Sequence, residues 1–397
     1  MRIKLTIICF CLFSCDDIGI ENENKIENQS FVNSFGTGWY EYGWGLAQLH
    51  DGGFVITGRK EYKSNSSKDM ITIRTDKNGF GIWQKTYGGS SDEEGYSVLQ
   101  TQDGNILSIG YSWSYGNKQD IFVVKSDLSG RTIWQKTYGG SNRDIGNKAI
   151  LTKDGNIAIV GQTNSPGISR GNDDIWLSKI DQDGNELWYK SFGLKNHETG
   201  YDLIELENGS FLIAGFRDFY ESAGKDILII KTDSEGNKLW EKTIGKDGLF
   251  DERAFSISKS NNYGYFICAS TNATGNNWYD PQIINIDFDG NIIWNKTYNG
   301  SGLKHTRWVA TSTSDGGAAI LGTTNYYREA GDNEDAYLIK IDKDGTKLWD
   351  YAIQGGKNDW GWGIIETFLQ ELVIVGSTKS YGAGLYDMLI AKIVNSD

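Results

Sequence analysis

Hydrophobic and polar positions along this chain come in short bursts rather than in helical stripes. In DIFVVKSDLSGRTIWQKTY, two β-rich runs flank Ser-Asp-Leu-Ser-Gly, with aspartate opening the turn and glycine where φ must be positive. Just upstream, YSVLQTQDGNILSIGYS holds a second hairpin around Asp103-Gly104. Together the two stretches predict four short strands in succession, and no helical period interrupts them.

The pattern then repeats. IWQKTYGG stands at 82–89 and again, letter for letter, at 133–140, and LWYKSFG, LWEKTIG, IWNKTYN and LWDYAIQ follow at 187, 239, 293 and 348. Their tryptophans are Trp83, Trp134, Trp188, Trp240, Trp294 and Trp349, spaced by 51 to 55 residues. Fourteen residues before each stands an aspartate: Asp69, Asp120, Asp174, Asp226, Asp280 and Asp335. A seventh, Asp387, has no tryptophan after it. An interval that holds while the period varies marks a rigid unit. Four-stranded antiparallel units at this period predict an all-β chain folded as a β-propeller, whose blades bury both faces against their neighbours. From Phe31 to Asp397 there is room for seven blades of about 52 residues. The last repeat is one strand short, and SFVNSFG at 30–36 is a spare strand whose Phe31 precedes Trp83 by 52 residues. This N-terminal strand is expected to complete the last blade and remove open edges.

With an Asp-Gly turn and then W-x-K-T-Y-G-G closing each unit, the repeats resemble those of quinoprotein-like propellers. They are most similar to bacterial secreted or lipidated propellers that carry this pattern, a resemblance covering nearly the whole chain after the tether. It implies the fold and says little of activity. The vicinal cysteine pair of the quinoprotein enzymes is missing, so no cofactor is expected.

Composition adds an address. Arg2 and Lys4 precede an apolar run from Leu5 to Phe13, the layout of a secretion signal over residues 1–14 and too short for a permanent membrane span. Leu12-Phe13-Ser14-Cys15 resembles a bacterial lipobox, which implies lipidation of Cys15 and a membrane anchor through it. Residues 15–29 are polar and acidic and read as a disordered tether, leaving 30–397 for the propeller. Acidic residues directly behind Cys15 resemble the surface-export signal of Bacteroidetes lipoproteins, implying a cell-envelope protein of the outer membrane, exposed at the surface; the alternative is the inner membrane, where Asp at that position retains lipoproteins of other bacteria. Only Cys268 falls within the folded body, so no intrachain disulfide is expected there. A net charge of -13 would repel phosphates and excludes nucleic acid as a partner. A monomer is expected.

Candidate chemistry concentrates at one end of the ring. Loops such as KEYKSNSSKD and NSPGISRGNDD are long and varied, whereas QDGN, KDGN and SEGN are tight turns, which places a ligand site on the long-loop face. The Asp-x-Asp-Gly turns lack the remaining ligands of a calcium loop, and no metal cluster is expected. The repeated aspartates read as strand-entry braces and the repeated tryptophans as packing between blades. A second ring is formed by Glu41, Glu93, Asp144, Glu198, Glu252, His305 and Asp359. Three residues beyond its members come Trp44, Tyr96, Asn147, Tyr201, Phe255, Trp308 and Trp362. These acids are expected either to rim the mouth of the central channel or to brace the crossings between blades. Trp39, Glu41 and Trp44 in one crossing, Asp359, Trp360 and Trp362 in the neighbouring one, and His305, Arg307 and Trp308 one blade back form the candidate ligand site. Aromatic faces beside carboxylates suit a glycan or a protein partner. The expected function is therefore non-enzymatic binding on the long-loop face. The alternative is a polysaccharide hydrolase or lyase with a carboxylate pair near the channel mouth. No catalytic residue is singled out.

Overall fold

The computed structural model describes residues 30–62, 67–116, 118–218, 224–245, 250–260, 264–273, 279–298, 307–324, 334–382 and 385–394. The expected signal, Cys15 and the tether lie outside them, as does His305. The described residues form 28 strands and no helix. They build seven four-stranded antiparallel sheets, in six of which every strand pairs with its neighbour in sequence. The protein is a seven-bladed β-propeller.

Blades 1 to 6 occupy residues 40–87, 93–138, 144–192, 198–244, 252–297 and 309–353. Blade 7 joins three strands from 359–393 to the N-terminal strand Phe31–Phe35, which pairs antiparallel with Asp387–Ile393 in the register Phe31 to Lys392. At the seam, the Ser30 hydroxyl accepts a hydrogen bond from the Val394 amide at 3.1 Å. The closure predicted from the spare strand is the one observed.

Burial follows from stacking the blades. Third strands such as Asp120–Ser126 are buried at every residue, because both faces meet a neighbouring blade. Outer strands such as Thr132–Tyr138 keep an exposed edge. The core is accordingly divided among the junctions. At the closure, Leu46, Phe54, Ile56, Ile71 and Ile73 of blade 1 pack on Val373, Val375, Met388 and Ile390 of blade 7, with Phe31 and Phe35 against them.

The W-x-K-T-Y motif is a grip on the next blade. Its target is a tight turn in which the leading aspartate accepts two backbone N–H bonds, as Asp127 does from Ser129 and Arg131. The Trp83 indole donates to the Leu128 carbonyl at 2.8 Å, and the Tyr87 hydroxyl to that of Gly130 at 3.2 Å. One blade on, Trp134, Lys136 and Tyr138 hold Gln182, Asp183 and Gly184 in the same way. Gly130 has φ +79°, and a Cβ there would also lie 3.2 Å from the Trp83 ring, so glycine is required twice over. Phe31 takes the tryptophan's place in blade 7: a Cβ on Gly79 would stand 2.3 Å from its ring.

Candidate functional site

Four of the crossings from one blade to the next end in a repeated clasp. The amide of the acid opening a first strand donates to the residue just before the aspartate that opens the previous blade's third strand. Glu41 donates in this way to Tyr386, Asp144 to Gln119, Glu198 to Asp173 and Asp359 to Glu334, all within 2.6–2.7 Å. The two acids thereby become neighbours. At Gly88 an added Cβ would lie 2.3 Å from Asp69 Oδ1 and 2.6 Å from Glu93 Oε2, so the first glycine of the GG pair leaves space for two carboxylates. The second, Gly89, donates its amide to Glu93 at 2.9 Å.

These acids do not rim the channel mouth. Glu41 is 1% exposed and Glu93, Asp144, Glu198 and Asp359 are 0% exposed, sealed under the crossings they brace. Glu93 accepts from the Ser112 hydroxyl, Asp359 from that of Thr378, and Glu41 from that of Thr37. Burial pushes the Glu41 carboxyl up, and Asp359 likewise. Burial also raises Asp335, with the adjacent charge of Asp359 adding to it, to about 6. Glu41 and Asp359 are therefore braces beneath the candidate site and do not present carboxylates to a ligand.

The channel is shaped by a second repeated device. In six blades the first strand carries a β-bulge, the register shifting at Gly43/Gly45, Gly95/Ser97, Gly146/Lys148, Gly200/Asp202, Ala254/Ser256 and Gly361/Gly363. The extra residue in each is Trp44, Tyr96, Asn147, Tyr201, Phe255 or Trp362, and all six line the central channel. A bulge turns one side chain out of the pleat's alternation, which is how it re-aims these rings. The small residue before each bulge lets the first two strands approach closely. At Gly58, opposite Gly43, a Cβ would meet the Tyr42 carbonyl oxygen at 1.7 Å.

Blade 6 departs from this rule and corrects the sequence reading. Trp308 is 0% exposed and lies on Gly322, with its indole donating to the Tyr279 carbonyl at 3.0 Å. No ligand reaches a ring so enclosed, so Trp308 leaves the candidate site. Arg307 enters the channel in its place, its guanidinium carbon 5.8 Å from the ring centroids of both Tyr201 and Phe255.

At the closure the aromatic residues do gather. Tyr40, Tyr42 and Trp44 form a ladder with ring centroids 6.5 and 6.2 Å apart and interplanar angles of 5° and 10°. Trp360 of blade 7 stacks on Tyr386 at 4.4 Å and meets Tyr42 at 6.5 Å, and Trp362 meets Trp360 at 6.1 Å. Tyr40, Tyr42, Trp44, Trp360 and Trp362 all keep partial exposure. The Trp360 indole is steered by Glu334 at 2.7 Å. Arg59 lies over Tyr42 at 4.6 Å and is held by Glu94 at 2.7 Å. Trp39, also half-buried, makes no ring contact with this ladder among the described residues. Sequence reasoning missed Tyr386 and Arg59 as members. Tyr386 directly precedes a repeated aspartate, and Arg59 faces Tyr42 across the first hairpin, so strand pairing was the signal.

Asp202 is the one carboxylate among the described channel-lining residues. Both its oxygens are engaged, by the amides of Leu203 and Ile257 at 2.9 Å each.

No family model matches the chain. The regulatory protein FlaEY of Caulobacter vibrioides is 23% identical over 198 residues, which are 43% of this chain and 20% of that protein. The chain thus spans about a fifth of that relative's length. Among solved structures, a protein of unknown function from Dyadobacter fermentans superposes with a TM-score of 0.52 at 14% identity, covering 91% of this chain and 97% of that one. The β-propeller domain of the trilobed protease from Pyrococcus furiosus gives 0.50 at 11% identity, covering 90% and 96%. That domain is described as having an open velcro topology, whereas here the first and last strands are paired. These likenesses establish the fold.

Proposed function

We propose that this protein is a non-enzymatic binding module of the cell envelope, anchored through lipid on Cys15, that engages a glycan with the long-loop face around its closure. One observation carries the reading. Blade 1 alone places three aromatic residues, Tyr40, Tyr42 and Trp44, at alternate positions entering its first strand. The other six blades fold without such a run, so it is surplus to the architecture. Rings of that kind, partly exposed and mutually aligned, offer flat apolar faces to the C–H faces of sugars. A hydrolase or lyase would need a carboxylate pair open to its substrate; the clasp acids are buried under the crossings and Asp202 of the channel is held by two backbone amides, which favours binding.

The test is a glycan array probed with the protein, followed by titration of the best hit. Trp360→Ala is expected to weaken binding by about 1 to 3 kcal/mol, as for an aromatic hot spot. Trp188→Ala, which removes a blade-packing ring, is expected to lower the melting temperature and leave affinity unchanged. A hit whose affinity ignores the joint loss of Tyr42 and Trp360 would place the site elsewhere.

A further inference from the structure

The guanidinium of Arg307 faces no carboxylate among the described residues. Among the described residues no carboxylate oxygen lies within the 4.0 Å of an ion pair. Its Nε is closed off from solvent and has no hydrogen-bond partner among them. Asp202, the acid whose charge it feels, is held by two backbone amides and does not form an ion pair with it. Tyr201 and Phe255 supply ring faces, which soften the loss of water without neutralising the charge. Lys148 adds a second cation to the same lining. In a chain of net charge -13, the channel mouth is a local site of excess positive charge.

A cation drawn partly out of water without a counter-charge weakens a fold. Six blades place a bulged residue without charge at this level, so the ring's architecture does not require an arginine. A guanidinium presents its donors as a planar fork that matches a carboxylate with two parallel hydrogen bonds. The cavity beside it holds about 90 Å³, space for the end of a ligand and not for a folded partner. Trp44 and Trp362 line that same cavity and continue the aromatic ladder into it.

We propose that the channel mouth binds the carboxylate of a sugar acid at the end of a glycan, the guanidinium of Arg307 forking onto the carboxylate while the pyranose ring lies against Trp44 or Trp362. This rests on the glycan reading above and names its class.

The experiment is calorimetric titration of the full chain with cellobiouronate and with cellobiose, which differ in one carboxylate for one hydroxymethyl group. The acid is expected to bind at least about tenfold tighter, the scale of a charge-assisted bidentate contact. In Arg307→Gln that preference is expected to disappear. Arg307→Met is expected to melt at or above the wild-type temperature, because no folded-state ion pair is lost. Several results would overturn the proposal: no binding of the acid, equal binding of the two sugars, or a preference that survives in Arg307→Gln. A marked fall in the Arg307→Met melting temperature would make the arginine a structural group and do the same. Acetate binding as tightly as cellobiouronate would remove the sugar from the assignment. Cellobiose binding that depends on Trp360 but shows no preference for the acid would leave the glycan reading standing while this inference falls.

Discussion

Asp335 and Asp359 meet beneath the crossing from blade 6 to blade 7, each with one buried oxygen lacking a partner among the described residues. Asp335 is raised from an ordinary 3.8 to about 6, first by burial and then by the charge of Asp359. Between those values the native state binds more protons than the unfolded chain, so the pair lowers stability progressively as pH rises from about 4 towards 7. Asp335→Asn cannot ionise and can donate its amide to Asp359. Its stability relative to wild type is expected to improve by about 1 to 3 kcal/mol between pH 4.5 and pH 7.5, measured by denaturant unfolding at both. A difference that stays flat with pH would show that the pair does not titrate there. At this scale the sequence exposed identities but not directions. The acid ring was legible because it repeats, yet whether it faced solvent depended on backbone amides that fold over it. Trp308 and Arg307 are adjacent in sequence, and which of them enters the channel is decided by Gly322 opening a space for the indole. That glycine lies on another strand and carried no mark of its role.

The strands themselves were readable because hairpin turns punctuate them and the period is long enough to count. Turn aspartates and glycines sit where turn geometry demands them, and the tryptophan-to-aspartate interval fixes strand lengths. Bulges were not readable, since a bulge exists only relative to a partner strand's register. The N-terminal strand Phe31–Phe35 was legible through arithmetic: one strand spare at one end and one missing at the other. Deleting residues 30–36 leaves the Asp387–Ile393 edge unpaired and strips Phe31 and Phe35 from the closure core. The deletion is expected to lower the thermal midpoint and to cause concentration-dependent association in sedimentation velocity, as an open strand edge does. Adding the peptide SFVNSFG is expected to reverse both. A deletion that melts like the full chain and stays monomeric would mean that the strand contributes nothing to closure.

As a whole, the molecule combines a repeated frame with one unrepeated sector. Blade clasps, acid pairs and turn grips recur around the ring, while the aromatic ladder belongs to the closure and Arg307 to blade 6. Where such a sector works depends on what the ring is attached to. If Cys15 carries lipid, Cys15→Ala is expected to lose metabolic fatty-acid label and to move from the membrane to the soluble fraction. Label that persists in the variant would rule the anchor out.

The closure also has a history in time. Phe31 and Lys392 are partners in one sheet, yet they leave the ribosome or an export channel at opposite ends of the chain's delivery. At about 5 to 20 residues per second the first strand waits roughly 20 to 70 seconds for its mate to be made. Through that interval six blades can assemble in order while Phe31–Phe35 stays single. A chain cut short before Asp387 would therefore carry six finished blades and leave its opening strand with no partner at all.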